Sequence, residues 1–148
     1  MRSALLLFAV LVAGPVQSAP AVVRAGSNGE PCFSVDAQAE RADGVAQFRA
    51  VTVVEPASGR LMWQMALPGG RSFALTHAIC IPYAGRVPAL PQTPAVALVA
   101  GHVYRVELAV RNGANPKAPK AYTANFCLAG KAPVLRQLDG GASCPSVP

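Results

Sequence analysis

Four cysteines constrain this chain more than any other feature: Cys32, Cys80, Cys127 and Cys144 all lie downstream of an apolar N-terminal run. Met1-Arg2-Ser3 followed by the stretch Ala4 to Gly14 has the charge-then-hydrophobe order of an export signal. Ala19-Pro20-Ala21 supplies the small-x-small cleavage pattern, so residues 1–21 are expected to be removed. The run from Ala4 to Val12 is shorter than the roughly 20 apolar residues a bilayer-spanning helix needs, and Gly14-Pro15 interrupts it. An even cysteine count in an exported chain reads as two disulfides. Zinc is the weaker reading, because no two cysteines have C-x-x-C spacing and neither His77 nor His102 has a second ligand beside it. Of the three possible connectivities, Cys32 with Cys80 and Cys127 with Cys144 is favoured, the second tying down a tail that contains Gly140-Gly141 and would otherwise fray.

Cleavage leaves residues 22–148, enough for one domain with one core. Cys32 follows Gly29-Glu30-Pro31, so no lipid-acceptor cysteine stands at the mature N-terminus and no membrane anchor is expected. No Asn-x-Ser/Thr acceptor occurs, which favours a bacterial periplasm over a eukaryotic secretory route.

Beyond a flexible stretch at Ala25 to Glu30, short apolar runs punctuated by Gly, Pro and Asn carry no sustained 3.6-residue period, the pattern of an all-β domain. In His102 to Arg111, Tyr104, Val106, Leu108 and Val110 alternate with polar residues, and Ala121 to Leu128 alternates in the same way. The two read as a hairpin across the turn formers Asn112-Gly113 and Asn115-Pro116. Leu61, Trp63, Met65 and Leu67 share one face of a strand reached through a turn at Pro56-Ala57-Ser58-Gly59. The preceding run, Ala46 to Glu55, is harder to register, since Phe48 has opposite parity to Val51 and Val53 and can share their face only across a bulge. Shorter strands are expected at Cys32 to Val35, Ser72 to Leu75, Ala78 to Ile81 and Pro133 to Leu138. The expected fold is an immunoglobulin-like β-sandwich of about seven or eight antiparallel strands, stapled by two disulfides. Beside large inward-facing neighbours, the cysteines should point away from the core.

The chain has 13 basic and 7 acidic residues, and loss of Arg2 with the leader leaves 12 against 7, a net charge of +5. These charges are dispersed, and aromatics make up only 6% of the chain, so the basic face with stacking platforms that nucleic-acid binding needs is missing. No G-x-S-x-G, H-E-x-x-H or phosphate-cradling glycine loop occurs. Glu30, Asp36, Glu40 and Asp43 read as a solvated loop, Glu55 and Glu107 as isolated, and His77 and His102 as strand-end residues. No catalytic residue, metal or cofactor is therefore expected, and binding is the expected role. Two loops are candidates for a docking surface. Pro82 to Pro94 is stiffened by four prolines and offers Tyr83, Arg86 and Leu90 as aromatic, cationic and apolar anchors. Arg111 to Lys120 gathers Arg111, Lys117 and Lys120.

The order of Pro31-Cys32-Phe33-Ser34-Val35, Ala50-Val51-Thr52-Val53 leading through Ser58-Gly59 into Leu61 to Met65, Cys80, Tyr104 to Val110 and Tyr122-Thr123-Ala124-Asn125-Phe126-Cys127 resembles the bacterial family of type VI secretion immunity periplasmic lipoproteins. The resemblance implies a small β-sandwich that binds and neutralises a toxic secreted effector in the periplasm. The positive charge then calls for a partner with an acidic or neutral patch. The alternative is an envelope or adhesion module that binds anionic glycan or lipid.

Overall fold

The computed structural model describes residues 18–85, 90–111 and 113–146. In chain order the elements are β1 (Ser18–Ala25), β2 (Pro31–Val35), α1 (Ala37–Asp43), β3 (Ala46–Glu55), β4 (Arg60–Ala66), β5 (Phe73–Leu75), β6 (Ile81–Pro82), β7 (Val103–Arg111), β8 (Ala121–Ala129) and β9 (Val134–Leu138).

The alternating runs become the centre of the sheet. β7 and β8 form the expected hairpin, with Tyr104 opposite Phe126 and Leu108 opposite Tyr122. Asn112, half of the expected turn dipeptide, lies outside the described residues. β3 flanks β7, and a shift in register solves its parity problem: Phe48 opposes Val110, but Ala50 opposes Ala109. The extra residue, Arg49, is exposed, and Phe48, Val51 and Val53 are all fully buried. A second irregularity sits where β4 pairs with β3, because Trp63 opposes Val53 while Leu61 opposes Val54. Met62 is the inserted residue and goes inward at 3% exposed, whereas Leu61, expected beside Trp63 on the inner face, is 40% exposed. The β3–β4 turn closes with Gly59 N–H donating to the Glu55 carbonyl at 2.8 Å, and Gly59 holds φ 70°, which glycine adopts without steric cost.

β1 departs most from expectation. Its first three residues, Ser18 to Pro20, run parallel to Ala121 to Thr123 of β8, whereas Ala21 to Ala25 run antiparallel to β2. The sheet order is β4-β3-β7-β8-β1-β2-β6, with β5 also on β3 and β9 also on β8. The described residues thus form nine strands in one curled, mixed sheet rather than seven or eight antiparallel ones. Ala21 and Val23 alternate into the core, which is why Ser18 to Ala25, from the end of the expected leader to the first residue of the expected flexible stretch, form a strand. At the changeover the Gln137 side chain stands in for a neighbouring strand: its Oε1 accepts from Val23 N–H at 2.8 Å and its Nε2 donates to the Ala21 carbonyl at 2.9 Å. The curl lays β2 over β8, placing the Phe33 ring 5.5 Å from that of Phe126.

The polar stretch expected as a loop contains α1 instead. Asp36 caps it by accepting from Gln38 N–H at 3.1 Å, and Gly44 closes it by donating to the Glu40 carbonyl at 2.9 Å. No residue of α1 is fully buried, so the sequence carried no apolar period to announce it. Of the strand expected at Ala78 to Ile81 only Ile81 joins β6, Ala78 to Cys80 being held as a loop.

Both favoured disulfides form, Cys32–Cys80 and Cys127–Cys144, with Cα separations of 5.5 and 5.9 Å. None of the four cysteines joins the apolar core cluster. Cys127 lies on the outer side of β8, yet it is fully buried because it is joined to the tail through Cys144. The bridges close spans of 48 and 17 residues, worth about 4 and 3 kcal/mol by loop entropy, comparable to a small domain's whole net stability. Reduction under native buffer should therefore lower the urea midpoint severely, and the Cys32→Ser/Cys80→Ser protein should lose more than the Cys127→Ser/Cys144→Ser protein in the same titration.

Candidate functional site

Where the sheet curls, its two limbs leave an open apolar groove of about 470 Å³, lined by Met65, Leu67, Phe73, Ile79, Ile81 and Leu90 among others. Phe73 sits on β5 because β5 pairs with the start of β3, which lays its ring 4.8 Å from the buried ring of Phe48. Even so it stays 36% exposed, and Ile79 across the groove is 42% exposed.

Ile79 is displayed by a short loop, residues 76–80, that is tied down from four directions. Ser34 is fully buried on β2 and donates its hydroxyl to the Ile79 carbonyl at 2.5 Å, with the His77 and Thr76 carbonyls close by at 3.3 and 3.4 Å. Arg24 donates to the His77 carbonyl at 3.1 Å. Glu40 of α1 accepts from His77 N–H at 2.6 Å and meets His77 Nδ1 at 2.8 Å. Cys80 is covalently joined to Cys32. An exposed apolar side chain on so constrained a backbone loses little conformational freedom when a partner covers it.

The sequence-nominated anchors divide among different roles. Leu90 lines the groove. Tyr83 is not a surface anchor: it is 7% exposed, stands edge-on to Trp63 at 5.5 Å, and its hydroxyl donates to the Val96 carbonyl at 2.6 Å, with that of Met62 at 3.2 Å. Burial pushes its phenol up to about 12. Its work is to hold the segment that borders β4, where Val96 N–H donates to the Met62 carbonyl. Arg86 lies outside the described residues. Arg111, Lys117 and Lys120 are exposed; Arg111 reaches the β4–β5 connection at Gly70, and it lines a separate cleft of about 360 Å³ beside Gly113 to Asn115. The second loop therefore lines a cleft separate from the apolar groove. The clamp on Ile79 escaped sequence reasoning because Ser34, Arg24 and Glu40 lie far from residues 76–80 along the chain.

Two glutamates read as unremarkable each meet a histidine. Beside the Glu40–His77 pair, Glu55 meets His102 Nδ1 at 2.5 Å and accepts from the Ser58 hydroxyl. This places Ser, Glu and His together in the wrong order for nucleophilic catalysis, which needs the imidazole between the hydroxyl and the carboxylate. Among the described residues no three His, Cys, Asp or Glu side chains gather as a metal site, and no helix is long and apolar enough to cross a membrane. Comparison with known protein families, curated proteins and solved structures finds no match to this chain.

Hydrogen bonds from the His77 backbone and then its ring hold the Glu40 carboxyl below its ordinary 4.5, and those from Ser58 and then His102 do the same for Glu55. A depressed folded-state value contributes stability that is full above 4.5 and fades as pH falls through the depressed value. Urea midpoints of the native chain and of the Glu40→Gln/Glu55→Gln chain should accordingly differ at pH 7 and converge as the solution is acidified well below pH 4.5.

Proposed function

We propose that this chain is an exported binding protein, an immunity protein whose apolar groove takes an apolar side chain of a toxic effector in the periplasm. The observation that carries this reading is the exposure of Phe73 and Ile79 on a groove whose rim is clamped rigid. Apolar side chains displayed together at fixed positions mark docking surfaces, and their fixed geometry lowers the entropy lost on association.

The partner segment should carry acidic residues beside its apolar anchor. Arg71, two residues before Phe73, is exposed, as are Arg111, which lies opposite Gln47 on β7, and Arg49, two residues beyond Gln47 on β3. Without Arg2 of the leader the chain has 12 basic against 7 acidic residues, a charge of +5, so long-range attraction favours an acidic target and steers its approach. Four paired cysteines support a compartment that oxidises thiols, in keeping with the periplasm. On this reading the curled sheet is an immunoglobulin-type sandwich, with β4, β3, β7 and β8 as one layer and β1, β2 and β6 as the other, supported by the Phe33–Phe126 contact between them.

The test is calorimetric titration of the purified chain with the secreted effector encoded beside its gene. A one-to-one complex is expected, and Ile79→Asp, which alters only an exposed side chain, should weaken it at least about tenfold, equivalent to about 1.4 kcal/mol. Absence of binding, or an unchanged affinity for Ile79→Asp, would overturn the assignment. Weak adherence to anionic glycan or lipid that vanishes with added salt would favour the envelope module instead.

A further inference from the structure

The export reading leaves open where the leader ends, and the strand that opens the fold narrows the choice. The motif Ala19-Pro20-Ala21 points to a cut after Ala21, but that cut falls inside β1, between the part paired with β8 and the part paired with β2. It would remove Ala21, which is 1% exposed and belongs to the core, together with Ala19, which packs against it. The carbonyl that accepts from Gln137 would go with them. It would also create a charged ammonium at Val22, which is half-buried and lies opposite the fully buried Ser34. A charge placed there has lost much of its hydration, which is costly.

A second small-residue pattern lies three residues earlier, with Ser18 at the last position and Val16 two before it. We infer that the leader is removed at the Ser18–Ala19 bond. In that hydrolysis a water molecule adds across the amide in a leader peptidase: Ser18 leaves with the leader as a carboxylate, and Ala19 becomes the new α-ammonium. Every core residue of β1 is then kept. Ala19 also borders an open trough of about 610 Å³ whose lining includes Glu107 and Asp139 alongside Arg105. Arg105 Nε donates to Asn125 Oδ1 at 3.1 Å, and Asn125 Nδ2 in turn donates to the Gly140 carbonyl at 2.7 Å. Among the described residues neither carboxylate of this trough forms an ion pair. The new ammonium therefore emerges into water beside acidic groups instead of into the closed face between β1 and β2.

This inference rests on the export reading, and one experiment separates the two. The full chain is expressed in a bacterium, the periplasmic fraction is collected, and the N-terminus is read by intact mass and terminal sequencing. The expected species starts at Ala19. Ser18→Leu, a change at an exposed residue that removes the small side chain a leader peptidase requires, should leave uncut precursor as the main species. A native chain that starts at Val22, or a Ser18→Leu chain still cut after Ser18, would overturn the assignment of the bond and leave export intact. A native chain that keeps its whole leader would overturn both. Chains produced to begin at Ala19 and at Val22 supply an independent reading: the Val22 chain should melt at least about 3 °C lower, and equal melting temperatures would overturn the inference.

Discussion

The fold depends on a single strand that belongs to both limbs of the sheet. β1 leaves β8 after Pro20 and joins β2 from Ala21 onward, and this change of partner carries the chain from one limb to the other. Without it β2 and β6 would have no hydrogen-bonded link to the rest of the sheet, and Phe33 would have no fixed place over Phe126. A strand changing partners must leave some backbone groups without a ladder, and buried groups of that kind are costly. Here the Gln137 amide, which carries one donor and one acceptor side by side, satisfies Val23 N–H and the Ala21 carbonyl. A side chain thereby completes the sheet where no strand can reach.

The disulfides act on parts of the molecule that this arrangement leaves weakly held. β6 has two residues and, among the described residues, pairs only with β2, so hydrogen bonding alone gives it little, and the Cys32–Cys80 bridge sits directly beside it. The tail beyond β9 contributes nothing to the core cluster, and Cys144 fastens it to the outer side of β8. The bridges are thus peripheral to the core, unlike a bridge that joins two layers through their centre. Oxidation fixes the edges while apolar packing fixes the middle, and the groove lies on the edge that oxidation fixes.

How much of this was legible in the sequence follows from how local each cause is. Alternation is local, so β3, β4, β7 and β8 could be read with ends correct to a residue or so, and the opposite parities of Phe48 and Val51 announced a bulge before its position at Arg49 was visible. Leu61, expected on the inner face, turns outward for a related reason: a bulge in β4 advances the parity by one, and nothing in Leu61-Met62-Trp63 tells which of two apolar neighbours turns inward. The helix was invisible because its stability comes from Asp36 and Gly44 at its ends and from Glu40 reaching His77, with no apolar face of its own. β1 was hidden by the leader motif that overlaps it. The candidate site was legible only at Leu90, since Tyr83 looked like an anchor until its hydroxyl was seen to be used up on the Val96 carbonyl.

Ile79 is the position where the sequence breaks its own rule. Phe33, Phe126 and Ile81, each beside a cysteine, are buried in the core and Leu128 is half-buried, whereas Ile79, next to Cys80, is turned to solvent. Simple economy of folding would place a polar residue on so exposed a loop. Instead a buried serine, an arginine, a glutamate and a disulfide converge to keep that loop in one shape. Stabilising a loop does not require that its outermost side chain be apolar, so the clamp and the isoleucine are separate features whose coincidence needs a common cause. Such local conflicts with foldability concentrate at functional sites. On the proposed binding role, a partner surface that covers Ile79 and Phe73 together would gain from apolar burial and from the rigidity in the same contact.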